Sequence, residues 1–145
     1  MTRFPEGPAT SPGFLLWHTT LRWQRVMAAA LAPLDLTHVQ FVILASTWWL
    51  NGQGEKPKQS RLSEYTGSDA RMTSEVVGRL ISKALLVRTR DPEDARAKVL
   101  SVTAEGAAAA ARAIDAVEAA DQAFFAPAMA RPLDLVTLLK TLAAR

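Results

Sequence analysis

The chain has 145 residues, 49% of them hydrophobic and 21% charged, which is the balance of one folded domain and excludes a disordered or fibrous chain. A net charge of +3 and a pI near 9.7 suit a polyanionic partner if the cations are gathered in one region. With no Cys there are no disulfides, thiol redox sensors or thiolate metal sites, and no apolar run approaches the ~20 residues of a membrane-spanning helix.

Residues 1–13 are polar and Pro-rich, lack the basic start and apolar centre of a signal peptide, and are expected to form a flexible arm. The expected location is the cytoplasm, with no membrane partner. Residues 14–31 predict a first helix in which Phe14, Leu15, Leu16, Trp17, Leu21, Trp23, Val26, Met27 and Leu31 place apolar groups on more than one face. Such a helix needs cover on several sides, so part of its cover is expected from a second subunit. Pro33 ends it. Thr37, with Gln40 three residues on, predicts a capping box for a second helix over 38–50. Residues 51–57, Asn-Gly-Gln-Gly-Glu-Lys-Pro, read as a loop. A short helix over 58–65, with Leu62 and Tyr65 facing inward, leads through Gly67 into the next.

Residues 69–85 predict a helix capped by Ser68 or Asp69. Thr73, Val76, Val77, Leu80 and Ile81 recur at spacings of three and four and form its buried stripe, which leaves Arg71, Ser74, Glu75, Gly78 and Ser82 on the open side. A strand over 86–90, turn chemistry at 91–94 and a second strand over 98–103 follow almost without slack. In the second strand Val99 and Ser101 fall on one face, Leu100 and Val102 on the other. Residues 104–126 form an Ala-rich helix in which Ala110, Ile114, Val117, Asp121 and Phe124 recur near heptad spacing, with Asp121 the only polar member. Pro127 and Pro132 interrupt the chain, and 133–144 predicts a final amphipathic helix carrying Leu135, Leu138, Leu139 and Leu142. The fold class is mainly α (α+β). Its centre is a helix-turn-helix with a two-stranded wing, flanked by N- and C-terminal helices.

A helix followed by a basic-tipped hairpin is the DNA-reading half of a winged helix. Arg61, Arg71, Arg79, Lys83, Arg88, Arg90, Arg96 and Lys98 all fall in the middle third of the chain. The segment from Asp94 to Thr103, DARAKVLSVT, resembles the D-x-R-x-x-x-x-x-[LV]-T wing signature of the MarR family of winged helix-turn-helix transcriptional regulators, and the following Glu105-Gly106 also fits. Leu62 to Gly67, LSEYTG, is similar to that family's first helix-turn-helix element, and Leu34 to Leu44, LDLTHVQFVIL, to its L-x-L-T-x-x-Q-[FW]-x-[VI]-L segment. The resemblance covers residues 14–142. Ala84 stands where the family commonly has Gly just after the recognition helix, and Ala95 where a second Arg is frequent.

The resemblance implies a single domain over 14–145, with dimerisation helices at 14–34 and 104–145 around a DNA-binding lobe at 35–103. It implies a homodimer on double-stranded DNA, acting as a repressor on a pseudo-palindromic operator. It also implies that Arg96 enters the minor groove and that Asp94 positions it. Lys98 is expected to contact phosphate and Arg90 either phosphate or groove. On the helix, Arg71, Ser74 and Glu75 are expected as base or phosphate contacts, and Arg79 adds a cation. Thr73 is carried as a further candidate although it lies on the buried stripe.

The aromatic cluster of the first two helices has two readings. Core and dimer packing is the commoner. The other is a pocket for a small aromatic effector, as the resemblance implies, with Trp17, His18, Phe41 and Trp48 as its residues. His18 is expected to be packed and His38 to lie on the surface. Neither has metal-ligand spacing, and no G-x-S-x-G, phosphate loop or G-x-G-x-x-G is present, so no catalysis, metal or cofactor is expected. Two alternatives stand beside the regulator: a winged-helix module that binds protein and not DNA, and a small-molecule-binding protein built on the helices. The basic helix-plus-wing surface weighs against the first, and the missing catalytic constellation against the second.

Overall fold

Short polar side chains set the helix boundaries. The structure, a computed structural model, describes residues 3–129 and 135–139. After a 3-10 turn at Pro8–Thr10, Ser11 accepts the Phe14 N–H and starts α1 (Pro12–Leu31), with Pro12 in the first turn. A 3-10 turn at Ala32–Leu34 closes α1, and Asp35 reverses the chain in the left-handed region at φ 54°. The capping box forms as expected. The Gln40 N–H donates to Thr37 Oγ1 at 3.2 Å and the Thr37 N–H to Gln40 Oε1 at 3.3 Å, opening α2 (His38–Gly52). α2 therefore takes in Asn51 and Gly52, which the sequence assigns to the loop.

α3 (Gln59–Thr66) buries Leu62, and Gly67 turns the chain at φ 73°. Tyr65, expected to face inward, remains 46% exposed. Asp69 caps α4 (Ala70–Ser82), accepting the Met72 N–H at 2.7 Å. Thr73, Val77 and Leu80 are its buried stripe, flanked by half-buried Val76 and Ile81. α4 stops three residues earlier than the apolar pattern predicts, because Ala84 takes the left-handed conformation at φ 59°. The Ala84 N–H donates to the Ile81 carbonyl and the Leu85 N–H to the Leu80 carbonyl, both at 2.9 Å, which is the paired closure of a Schellman helix end. Ala does here what the family usually gives to Gly, at a conformational cost of roughly 1–2 kcal/mol.

β1 (Leu86–Arg90) and β2 (Lys98–Val102) pair antiparallel, with Leu86 opposite Val102 and Arg90 opposite Lys98. Val99 and Leu100 are both buried although they face opposite ways. The outer edge of β2 is covered, since the Leu100 N–H donates to the Pro57 carbonyl at 2.8 Å.

Thr103 caps α5 (Ala104–Phe125) and accepts the Gly106 N–H at 2.9 Å. α5 runs along α1 and α2. Its small buried residues Gly106, Ala110 and Ala113, followed by Val117, let the backbones approach closely. Asp121 has a specific role in this apolar register: it accepts the Trp23 indole N–H at 2.6 Å, tying α5 to α1. A 3-10 turn at Ala126–Ala128 follows. Residues 135–139 are helical, and the rest of the expected final helix lies outside the described residues. One contiguous core joins Met27 and Leu31 of α1, Ile43, Leu44 and Leu50 of α2, Leu62 of α3, Val77 and Leu80 of α4, Leu86 and Leu100 of the hairpin, and Val117 of α5.

The two histidines exchange the environments expected of them. His38 is half-buried at the start of α2 and meets the Trp23 ring edge-on at 4.9 Å. His18 is exposed, stacked on Phe14 at 6.3 Å, because none of the described residues covers that half of α1. Desolvation lowers the His38 pKa below 6.5, and the Asp121 charge opposes this only in part. The folded state therefore binds this proton less readily than the unfolded chain. Stability is expected to fall as pH drops below about 6.5. Denaturant melts of His38→Gln should show a shallower loss over that range than the parent.

Gly106 gives a second expectation. A Cβ there would lie 1.9 Å from the Leu85 carbonyl oxygen, a contact that only backbone movement can relieve. Gly106→Ala should lower stability by roughly 1–3 kcal/mol in thermal or chemical melts, as overpacking against rigid neighbours does.

Candidate nucleic-acid interface

The helix-turn-helix is held by its own hydroxyls. Ser63 Oγ donates to the Ser68 carbonyl at 2.5 Å and Thr66 Oγ1 accepts the Ser68 N–H at 3.4 Å, fixing the turn between α3 and α4. The outer face of α4 then presents Arg71, Ser74, Glu75, Gly78 and Arg79, all exposed. Arg71 Nε lies 3.4 Å from Glu75 Oε1, one turn away. Both side chains are largely solvated, so this pair contributes little to stability and can open for a ligand. Thr73 is not part of this face. It is 0% exposed, and its hydroxyl donates to the Asp69 carbonyl at 2.8 Å, so it is a core residue and drops out of the candidate contacts.

At the other end of α4 the Lys83 ammonium donates to the Asp35 carbonyl and, at 3.1 Å, to Gln40 Oε1, with Asp35 Oδ2 at 3.4 Å. Lys83 thus fastens the base of the recognition helix to the α1–α2 corner and is not free for DNA.

The wing tip is folded by its acids. Asp91 Oδ1 accepts the Glu93 N–H and Asp94 Oδ1 the Arg96 N–H, both at 3.0 Å, and the Ala97 N–H donates to the Asp94 carbonyl. Asp94 thus meets Arg96 through its main-chain N–H; among the described residues no ion pair joins the Asp94 carboxylate to the Arg96 guanidinium, and Arg96 is exposed. At the base of the tip, Arg90 sits directly across the ladder from Lys98. Like charges opposite one another destabilise a hairpin. Among the described residues, Arg79, Arg90, Arg96 and Lys98 make no ion pair.

Asn51 is a positioning residue that sequence reasoning missed by placing it in a loop. Its Oδ1 accepts the Val102 N–H at 2.9 Å, and its Nδ2 donates to the Leu100 carbonyl at 3.3 Å and the Glu55 carbonyl at 3.0 Å. One amide thus acts as a third strand for β2 and fixes the wing to the end of α2. An Asn at a helix end ahead of a Gly-containing loop was the available signal, but its two partners on β2 lie about fifty positions away.

A cleft of about 530 Å³ opens between α2, α3 and α5, lined by Phe41, Ala45, Ser46, Trp48, Trp49, Tyr65, Ile114, Val117 and Glu118. It brings together Phe41 and Trp48 of the expected pocket. Trp17, 65% exposed, and His18 are not in its lining and lie on the uncovered half of α1. Trp49, Tyr65 and Glu118 join the cleft through the packing of three helices. Among the described residues no cluster of three or more His, Asp or Glu is placed to hold a metal ion, and no single helix is long and apolar enough to cross a membrane.

A helix-turn-helix whose second helix is open outward, joined to a cationic two-stranded wing, defines the winged-helix class of DNA-binding proteins. Comparison with known proteins agrees. Residues 36–106 match a winged helix DNA-binding domain family. The chain is 46% identical over 124 residues to the uncharacterized HTH-type transcriptional regulator YdcH of Bacillus subtilis (strain 168), covering 86% of this chain and 84% of that protein. Among solved structures it is similar to the transcriptional repressor CouR bound to a 23-mer DNA duplex, with TM-score 0.82, 26% identity and 99% of each chain covered. It is also similar to BpsR of Bordetella bronchiseptica, described in a study of how 6-hydroxynicotinic acid regulates its DNA binding, with TM-score 0.83, 25% identity, and 94% of this chain and 96% of that one covered. The chain belongs to the MarR family of winged helix-turn-helix transcriptional regulators, and it is a DNA-binding regulator.

The wing gives separable expectations. Arg96→Ala should weaken operator binding by roughly 1–3 kcal/mol with no change in thermal stability. Lys98→Ala should weaken binding to all sequences alike and reduce the salt slope by about one unit, as loss of a phosphate contact does. Asn51→Ala should lower operator affinity and make a further Arg96→Ala change nearly silent, because a wing out of place has no contact left to lose. Binding titrations at several salt concentrations check all three.

Proposed function

We propose that this protein is a homodimeric transcriptional repressor acting in the cytoplasm. Each subunit lays α4 in a major groove and its wing in the adjacent minor groove. The observation that carries this is the wing's charge arrangement: Arg90 opposite Lys98, with Arg96 beyond them in a turn built to aim it. A fold keeps such self-repulsion where an anion relieves it, and a narrow minor groove is the most negative part of DNA. Arg71, Ser74, Glu75 and Arg79 are the α4 residues that face the bases and phosphates. That CouR, at 26% identity, is described as a repressor supports the sign of regulation.

The second subunit accounts for the apolar surface left open. Phe14, Leu15, Leu16 and Trp17 at the start of α1, and Val136, Leu138 and Leu139, are all roughly half exposed. An isologous contact that buries both sets places the two reading heads about one helical turn, ~10 bp, apart on a pseudo-palindrome. We further propose that a small aromatic ligand in the α2–α3–α5 cleft releases the DNA. The regulation of BpsR by 6-hydroxynicotinic acid supports an effector of this size.

Selection of bound duplexes from a random pool tests the reading. The enriched sequences should contain inverted half-sites spaced by ~10 bp, and transcription from a promoter overlapping such a site should fall when the protein is added. Sedimentation at micromolar concentration should give twice the monomer mass. A monomer, or enrichment of a single unrepeated half-site, would sink the dimer model.

A further inference from the structure

We infer that the cleft between α2, α3 and α5 takes a lipophilic cation and not an aromatic acid. The inference rests on the reading of that cleft as the effector site and names the charge of its ligand. Four aromatic side chains, Phe41, Trp48, Trp49 and Tyr65, line the cleft, and its lining holds one charged side chain, Glu118. Among the described residues no Lys, Arg or His is in that lining. An aromatic face is electron-rich and attracts a cation, most strongly when the cation is weakly hydrated. A carboxylate at the rim adds a full negative charge, and Asp115 lies one turn earlier on α5. A carboxylate or phenolate ligand would meet both repulsions, and among the described residues no cation of the lining offsets them.

Tyr65 already shows the preference. The Arg61 guanidinium carbon lies 5.4 Å from the centre of its ring. That guanidinium is held by Glu55, with Arg61 Nε 2.8 Å from Glu55 Oε1, so it brings little net positive charge toward the cleft. Of the remaining lining, Ala45, Ile114 and Val117 are apolar and Ser46 is neutral, so the donors an anion could meet there, the Ser46 hydroxyl and the aromatic N–H and O–H groups, carry no positive charge. About 530 Å³ suits a bulky organic cation better than a small ammonium ion, whose hydration shell such walls cannot replace.

The cleft is joined to the reading surface through α2. Phe41, Trp48 and Trp49 are on α2, and Asn51, at its end, holds β2 of the wing. A ligand that fits one placement of α2 better than another therefore shifts the wing, and only that difference in fit can drive release of DNA.

The test uses two ions of the same shape and opposite charge. The full-length protein is titrated with tetraphenylphosphonium and separately with tetraphenylborate, while tryptophan fluorescence and operator binding are followed. Salicylate serves as a compact anion. The phosphonium ion should quench fluorescence, bind at least about tenfold more tightly than the borate, and weaken operator binding. Glu118→Gln, checked by thermal melt to be folded, should lose about tenfold in phosphonium affinity and none in borate affinity. Borate or salicylate binding as tightly as the phosphonium, or unchanged phosphonium affinity in Glu118→Gln, overturns the assignment of charge while the effector cleft stands. If none of the three ions quenches fluorescence or moves operator binding, the cleft is packing and both readings fall.

Discussion

The contact between the Gly106 backbone and the Leu85 carbonyl ties the protein's working parts together. Leu85 is where the recognition helix has just ended and the wing begins; Gly106 is the first turn of the long helix α5. Thr103 completes the joint. Its hydroxyl donates to the Ala84 carbonyl at 2.7 Å and accepts the Gly106 N–H at 2.9 Å, and its own N–H donates to the Leu85 carbonyl at 3.1 Å. The left-handed turn at Ala84 is clamped from outside by the same threonine, which explains how a non-glycine residue is held there. The end of α4, the start of the wing and the first turn of α5 are therefore joined at one point.

Two further ties give that body its directions. Lys83 anchors the base of α4 to the Asp35–Gln40 corner, and Asn51 anchors β2 to the end of α2. The reading face itself is left almost untied: its one internal ion pair, Arg71 with Glu75, is solvated, and Arg90 and Lys98 repel each other. Rigid support beneath a loosely paired cationic surface suits a protein that must exchange water and counterions for phosphate.

The helical half follows a different logic. Trp23, His38 and Asp121 form a seam where α1, α2 and α5 meet, with one indole hydrogen bond at its centre. Beyond that seam the first half of α1 keeps its large apolar side chains in solvent, and on the other side the α2 aromatics open into a cleft. The same tryptophan-rich sequence thus serves three purposes: an internal tie at Trp23, an uncovered face at Trp17, and a cleft wall at Trp48 and Trp49.

Local chemistry in the sequence determined where elements start and stop. Thr37 with Gln40, Asp69 before an amphipathic run, Gly67 at a turn and the acid-rich wing tip each act on neighbours within four positions, so their effects are legible without a fold. The winged-helix order, the family and the cationic wing follow from them. What only the tertiary structure decided are the matters of distance along the chain. The helix end at Ala84 is set by Thr103, nineteen residues on. The wing is held by Asn51, about fifty residues before the strand it clamps. His38 and His18 trade environments because burial depends on which helices arrive beside them. The charge of the cleft depends on Glu118, which no periodicity sets beside Trp48; packing of α5 on α2 alone brings the carboxylate to the rings.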